Sequence, residues 1–197
     1  MLLRDTPHLS KRHPEKIIMK QILLHVVVIA SLVSGCATPP TPQNAQEFRT
    51  VVTQGAYGTF IESFVVNRPY KEVAAIVKAK TNECLNAKVD YKSCTNTTSS
   101  STCKNYADTY VAKVVDGAGK TEVRVQFRRA GEGVGEIHLG GKPPADGSYI
   151  MVADIMPAGN SKTKIEMYRT TFFKAVPGAI RHWSNSTSQG CPTFKEF

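Results

Sequence analysis

The chain has 197 residues, of which 41% are hydrophobic and 21% charged, and its net charge at pH 7 is +9. This composition is that of an ordinary globular protein and excludes a disordered or collagen-like chain. Residues 1–35 hold five Lys/Arg and two Asp/Glu, so the rest of the chain has 20 basic and 14 acidic residues and a charge of +6. The excess is spread out, and only Arg128 and Arg129 form a tight pair. Because a basic stripe with stacking aromatics is missing, the sequence predicts no nucleic-acid binding.

The N-terminal segment has the pattern of an export signal. Residues 1–18 are polar and basic and precede a second methionine, Met19, which we interpret as an alternative translation start. Lys20 then leads into an apolar run over residues 22–30. With about a dozen apolar residues, this run is too short to cross a bilayer as a helix, so it predicts a cleaved signal and not a transmembrane anchor.

The apolar run ends in Leu32, Val33, Ser34, Gly35 and Cys36. This pattern resembles the lipobox of bacterial lipoproteins. The resemblance implies cleavage before Cys36, a diacylglycerol on its sulfur and an amide-linked acyl chain such as palmitate. The alternative is a plain secretory signal followed by an accidental cysteine. Two or three acyl chains would anchor the protein stably, whereas one chain alone is marginal.

Ala37 follows the cysteine in place of an aspartate. By resemblance to enterobacterial sorting, this implies the outer membrane, with the domain facing the periplasm; the inner membrane is the less favoured site. The predicted organisation is a leader over residues 1–35, a lipidated cysteine with a proline-rich tether over 36–46, and a single globular domain over 47–197. Three prolines keep the tether from forming a helix or a strand.

The first part of the domain is predicted to contain two helices, one strand and a loop. Residues 45–54 predict a short helix, residues 59–66 a strand, and residues 67–86 a helix with Pro69 in its first turn. The stretch 87–105 is polar and predicts a loop closed by Cys94 and Cys103.

A meander follows. Its predicted strands are residues 110–115, 121–129, 136–139, 149–156 and 163–170, and the segment 121–129 has the clearest two-residue period. A final helix begins near Val176 and presents Ile180 and Trp183 on the same face.

This order of elements predicts an α+β fold: a two-layer sandwich in which an N-terminal and a C-terminal helix cover one face of an antiparallel sheet. The arrangement, over most of residues 56–190, looks like the helix-grip architecture of START-type lipid-binding domains and some outer-membrane-assembly lipoproteins. Short segments around Pro69, Cys84 and Cys191, behind a lipobox, also resemble those of proteobacterial lipoproteins with no assigned activity.

Apart from Cys36 the chain has four cysteines, an even number that favours disulfides in an exported protein; the alternative is four buried thiols. Without a C-x-x-C pair, no zinc site is predicted. Cys84 ends the first long helix and Cys191 follows the last. We therefore favour Cys84–Cys191 and Cys94–Cys103 among the three possible pairings.

Few residues point to chemistry. His138 lies near Glu136 on a predicted short strand, and His182 precedes Trp183 on the last helix. Asp154 interrupts an apolar strand, where it either faces solvent or marks a polar group in a pocket. Since no nucleophile motif, metal spacing or phosphate loop accompanies them, we predict no enzyme and no cofactor other than the covalent acyl groups on Cys36.

The sequence thus predicts a membrane-anchored envelope lipoprotein that acts as a non-enzymatic interaction or structural module with an envelope protein partner. The alternative is a carrier that holds a hydrophobic ligand in a START-like cavity.

Overall fold

The structure is a computed structural model that describes residues 40–96, 100–131, 141–186 and 190–194. Its elements in chain order are α1 (Ala45–Thr53), β1 (Thr59–Val66), α2 (Tyr70–Cys84), β2 (Ala87–Asn96), β3 (Ser101–Gly117), β4 (Lys120–Gly131), β5 (Ser148–Pro157), β6 (Thr163–Thr170) and α3 (Ala175–Asn185). The predicted strand over residues 136–139 lies outside the described residues.

The strands form one curled antiparallel sheet in the order β1-β6-β5-β4-β3-β2. Strands β2 to β6 pair with their neighbours in sequence, whereas β1 pairs with β6, so that Thr59 lies opposite Thr170. The starts of β1 and β5 and the ends of β4 and β6 consequently lie at the same end of the sheet. We call this end the loop end, since the segments 54–58, 141–147 and 171–174 connect there.

One face of the sheet, which we call the core face, packs against α2 and α3. Alternate residues of the central strands point to this face because side chains alternate along a strand, and Val125, Met151 and Ile165 are fully buried there. Helix α2 contributes Val73 and Val77, as its apolar spacing predicts. The last helix buries Val176, Ile180 and Trp183, which confirms the predicted face.

The opposite face of the sheet packs against α1, so the predicted fold class is wrong. Helix α1 buries Ala45, Phe48 and Val52 against Val152 of β5, which points away from the core face. The sheet is therefore covered on both faces, and not on one face by an N-terminal and a C-terminal helix. The sequence of β5 indicates a sheet covered on both faces, because the residues on both sides of this strand are mostly apolar.

The strand content is also larger than predicted. The described part of the polar stretch 87–105 forms the whole of β2 and the start of β3, which pair residue by residue and place Cys94 opposite Cys103. Low hydrophobicity predicted a loop, but cross-strand pairing and a disulfide can order a polar ribbon without a buried face. The protein is mostly antiparallel β as a result.

Candidate functional site

Several predicted site residues lie outside the described residues. These are Cys36, with its predicted lipid attachment, and the pair Glu136 and His138. Their roles remain predictions.

Asp154 lies in a cluster of charged side chains beneath α1. It is 6% exposed and faces the α1 side of the sheet. Arg49 of α1 donates from Nη2 to Asp154 Oδ1 at 2.7 Å, and Lys120 Nζ lies 3.1 Å from the same oxygen. Asp154 is therefore neither solvent-facing nor the lone polar group of a pocket, because it is paired with cations.

Glu122 of β4 completes the cluster on the strand next to Asp154. Its carboxylate accepts hydrogen bonds from Arg49 and Arg124. Burial acts to raise the pKa of Glu122, but the two guanidinium groups outweigh it and hold that pKa below its usual value. Burial likewise acts to lower the pKa of Arg49, yet the facing carboxylates raise it.

Such mutual neutralisation describes a structural cluster and not a catalytic one. A general acid or base needs a pKa near the working pH and a free approach for substrate. The pKa of Glu122 is lowered, and therefore lies further from neutral pH, and its oxygens already accept hydrogen bonds from guanidinium groups. The cluster fixes α1 to the sheet.

His182 is exposed on α3, next to the fully buried Trp183. The indole Nε1 of Trp183 donates to the carbonyl oxygen of Gly190 at 3.2 Å, which ties the segment after α3 back to the helix. His182 lines a shallow groove with Cys191 and Pro192. It has the position of a surface histidine beside a core tryptophan.

The four cysteines of the domain form two pairs at disulfide distance, Cys84 with Cys191 and Cys94 with Cys103. These are the pairings that the sequence favoured. Their Cα atoms are 5.1 and 4.0 Å apart, respectively. Glu83 lies beside the first pair, but two bonded sulfurs are not thiolate ligands, so this group is no metal site as it stands.

A surface feature that the sequence did not suggest is a hairpin that projects beyond the sheet. Within the described residues, β4 pairs with β3 as far as Tyr106, opposite Gly131, whereas β2 and β3 pair up to Asn96 and Ser101. We call residues 92–96 and 101–105 the hairpin arm. Nearly all of its side chains are exposed, and the Cys94–Cys103 pair lies within it.

The base of the hairpin arm carries a cluster of aromatic and charged side chains. Tyr91 and Tyr106 stack with ring centroids 5.3 Å apart, and the Arg129 guanidinium lies 5.7 Å and 5.9 Å from the two rings. Asp108, which is 1% exposed, accepts from Arg129 Nε and Nη2 at 2.7 and 2.9 Å. This bidentate pair orients Arg129, and with it the two tyrosine rings.

An open groove of about 640 Å³ lies at the same base. Ala107 and Ala130 are opposite each other on β3 and β4, and their small side chains leave a depression. Asp90, Lys92 and Asn105 also line it. Tyr91 and Tyr106 line the groove as well, so the arm base offers one mixed surface of aromatic, small and polar residues.

Comparison with protein-family models, with curated proteins and with solved structures gives no match for this chain. Within the ranges that the structure describes, none of the helices combines the length and apolarity needed to cross a membrane.

Proposed function

We propose that the protein is a lipid-anchored envelope protein and that its domain is a non-enzymatic interaction module. Anchoring rests on the lipobox resemblance of residues 32–36. A location at the outer membrane, facing the periplasm, rests on Ala37 and on the paired cysteines, which suit an oxidising compartment.

The hairpin arm is the observation that carries the interaction role. An isolated two-stranded ribbon is marginally stable in water, so an arm whose described side chains are largely exposed needs a device that holds it. The Cys94–Cys103 pair is such a device, and the oriented tyrosines Tyr91 and Tyr106 stand at its base. Tyrosine is enriched in protein–protein contacts because it combines a large apolar ring with a polar tip. We propose that the partner is an envelope protein that binds this arm.

The carrier alternative stays a prediction and is the less favoured of the two. It depended on a cavity between a sheet and the last helix of a helix-grip fold. In this fold the space between the core face and α3 is occupied by large buried side chains, among them Trp183, Tyr110 and Met151.

Replacement of the anchoring residue tests the first half of the proposal. We expect Cys36→Ala to remove labelled acyl-chain incorporation and flotation with membranes, because the acyl chains would no longer be attached. Wild-type protein treated in parallel is the control. Unchanged flotation of the variant would refute the anchor.

Site-specific photocrosslinking in the producing cell tests the second half. A photoreactive residue in place of Lys104, which is exposed on the hairpin arm, is expected to form a discrete protein adduct. The matched control replaces Lys71, which is exposed on α2. We expect the adduct to weaken when Cys94 and Cys103 are both changed to serine. Equal crosslinking from both lysines, or none from Lys104, would contradict an interaction role of the arm.

A further inference from the structure

We propose that the part of the loop end formed by β1, β5 and β6 lies on the surface of the bilayer that holds Cys36, with Tyr57 and Phe172 inserted among the lipid headgroups. The hairpin arm lies at the same end but at the opposite edge of the sheet, on β2 and β3, where it stays available to a protein partner. We call Tyr57, Phe172, Lys142 and Lys174 the membrane face. This inference rests on the proposed anchor and adds the orientation of the domain and its contact with lipid.

The short connection between anchor and domain is the first support. Thr41 Oγ1 donates to the carbonyl oxygen of Gly141 at 2.9 Å, and Gln43 Nε2 donates to that of Lys142 at 2.9 Å. The chain is thus fixed to the segment 141–147 at Thr41. From Cys36 to Thr41 a fully extended chain spans at most about 18 Å. A lipidated Cys36 therefore keeps this end of the sheet within that distance of the acyl chains.

Exposed aromatic side chains at the same end are the second support. Tyr57 is 99% exposed and Phe172 is 68% exposed, more than the other large hydrophobic residues that the structure finds exposed. The two loops that carry them are joined, because Thr171 N donates to the carbonyl oxygen of Gly58 at 2.8 Å. Aromatic residues are enriched where a protein meets lipid headgroups, since a ring can enter the apolar boundary while a polar tip remains in water.

The charges around these rings suit an anionic surface. Lys142 and Lys174 are exposed, and within the described residues neither ammonium group is in an ion pair. Asp146, the acidic residue of the same connecting segment, is paired with Lys113 at 2.6 Å. Two exposed cations, unpaired within the described residues, and two exposed rings at the same end of the sheet match the chemistry of an interfacial contact with anionic lipids.

Quenching by lipids tests the orientation in the full-length lipidated protein. It would be reconstituted in vesicles of phosphatidylethanolamine with about 30% phosphatidylglycerol and brominated acyl chains, a composition chosen for its anionic surface. The chain has one tryptophan, Trp183, which is 1% exposed and gives a constant background. We expect Tyr57→Trp and Phe172→Trp to be quenched by the brominated lipids. Val115→Trp, at an exposed position near the opposite end of the sheet, is the matched control and is expected to remain unquenched.

A charge variant gives an independent reading. The changes Lys142→Gln and Lys174→Gln are added to the Tyr57→Trp protein, and quenching of the tryptophan at position 57 is again measured. Each change is expected to weaken the association of the domain with the anionic surface by about fivefold, and thereby to reduce the quenching. They should have little effect in vesicles of neutral lipid. An equal effect in both kinds of vesicle would argue against an electrostatic contact.

The outcomes separate the two proposals. If the lipidated protein fails to float with vesicles, the anchor and the membrane face are both refuted. If it floats but position 57 is quenched no more than position 115, the anchor stands and the membrane face is refuted. In that second case, the exposed rings of Tyr57 and Phe172 would be candidates for a contact with a protein and not with lipid.

Discussion

Arg49 is the side chain through which the first helix is held to the sheet. It reaches from α1 to two carboxylates on neighbouring strands, Asp154 and Glu122, and its guanidinium lies 5.6 Å from the ring centroid of Tyr168. All three charged groups are largely removed from water. Ionised groups in such a place must be paired, because a buried charge without a partner is costly.

Arg49→Leu is expected to destabilise the domain by about 3 kcal/mol, the lower end for breaking a buried ion pair, because Lys120 and Arg124 still partly neutralise the carboxylates. Urea unfolding would measure the loss. Arg128→Leu is the matched control: Arg128 is exposed and lies outside the cluster, and we expect a change within about 0.5 kcal/mol. Similar losses for the two variants would show that the cluster does not hold α1.

The pKa of Glu122 gives the cluster a defined dependence on pH. This pKa is lowered in the folded protein, so ionised Glu122 contributes stability that is fully present above its unfolded value of 4.5. The contribution is lost as the pH falls through the lowered pKa. We expect wild-type protein to be more stable than Glu122→Gln at pH 7 and the difference to shrink below pH 4.5. A difference that stays constant down to acid unfolding would contradict this assignment.

The hairpin arm is an element held by a covalent bond more than by packing. Its residues continue the pairing of β2 with β3 beyond the last described pair of β3 with β4 and lie largely in water. The Cys94–Cys103 pair closes a loop with a sequence separation of only 9 residues. Its effect should therefore be local.

We expect Cys94→Ser with Cys103→Ser to increase hydrogen exchange at the amides of residues 92–96 and 101–105, because the ribbon frays without its disulfide. Amides of residues 110–115 serve as the internal control, because this part of β3 pairs with β4. Hydrogen exchange read by mass spectrometry would resolve the two regions. Unchanged protection in the arm would mean that pairing alone orders it.

Helix α1 shows what local sequence can specify about an element. Asn44 Oδ1 accepts from the backbone N–H of Glu47 at 2.9 Å, and the Glu47 carboxylate accepts from the backbone N–H of Gln43 at 2.8 Å. This reciprocal capping begins the helix at Ala45, which is the predicted start. The apolar stripe of α1 predicts that the helix packs against other elements, but it does not indicate which face of the sheet it covers.

Across the whole molecule, Cys84–Cys191 ties the end of α2 to the segment after α3. The sequence separation is 107 residues, so this bond constrains most of the domain. In the chain-entropy model, closing a loop of about 100 residues contributes roughly 4.7 kcal/mol, which is large against a typical total of about 5–15 kcal/mol.

We expect Cys84→Ser with Cys191→Ser to lower the free energy of unfolding by about 4–5 kcal/mol, and therefore far more than the double change in the arm. Thermal and urea unfolding of both double variants, under the same conditions, would make the comparison. Equal losses would contradict the global role of Cys84–Cys191.

Most individual elements could be predicted from the sequence, because the hydrophobic period of a segment and the turn residues at its ends are local properties. The strand at residues 59–66 and the buried face of α3 are confirmed. Three features escaped prediction because they depend on contacts between strands or between distant residues and not on the hydrophobic pattern of one segment. The side of the sheet taken by α1 is set by Arg49 meeting Asp154, and the order of residues 87–105 by pairing across the strands. The partner of Asp154 was likewise invisible, since 105 residues separate it from Arg49.

The pairing of β1 with β6 has a consequence for the time course of synthesis. Residues 45–66 are the first part of the domain to be synthesised, yet their partners on β5 and β6 follow about 100 residues later, as in the pair Phe60 and Arg169. At about 5–20 residues per second, the first helix and strand wait on the order of 5 to 20 seconds for the strands they need. During this interval the apolar stripe of α1 and both edges of β1 are uncovered. These surfaces acquire their native partners only once β5 and β6 are complete.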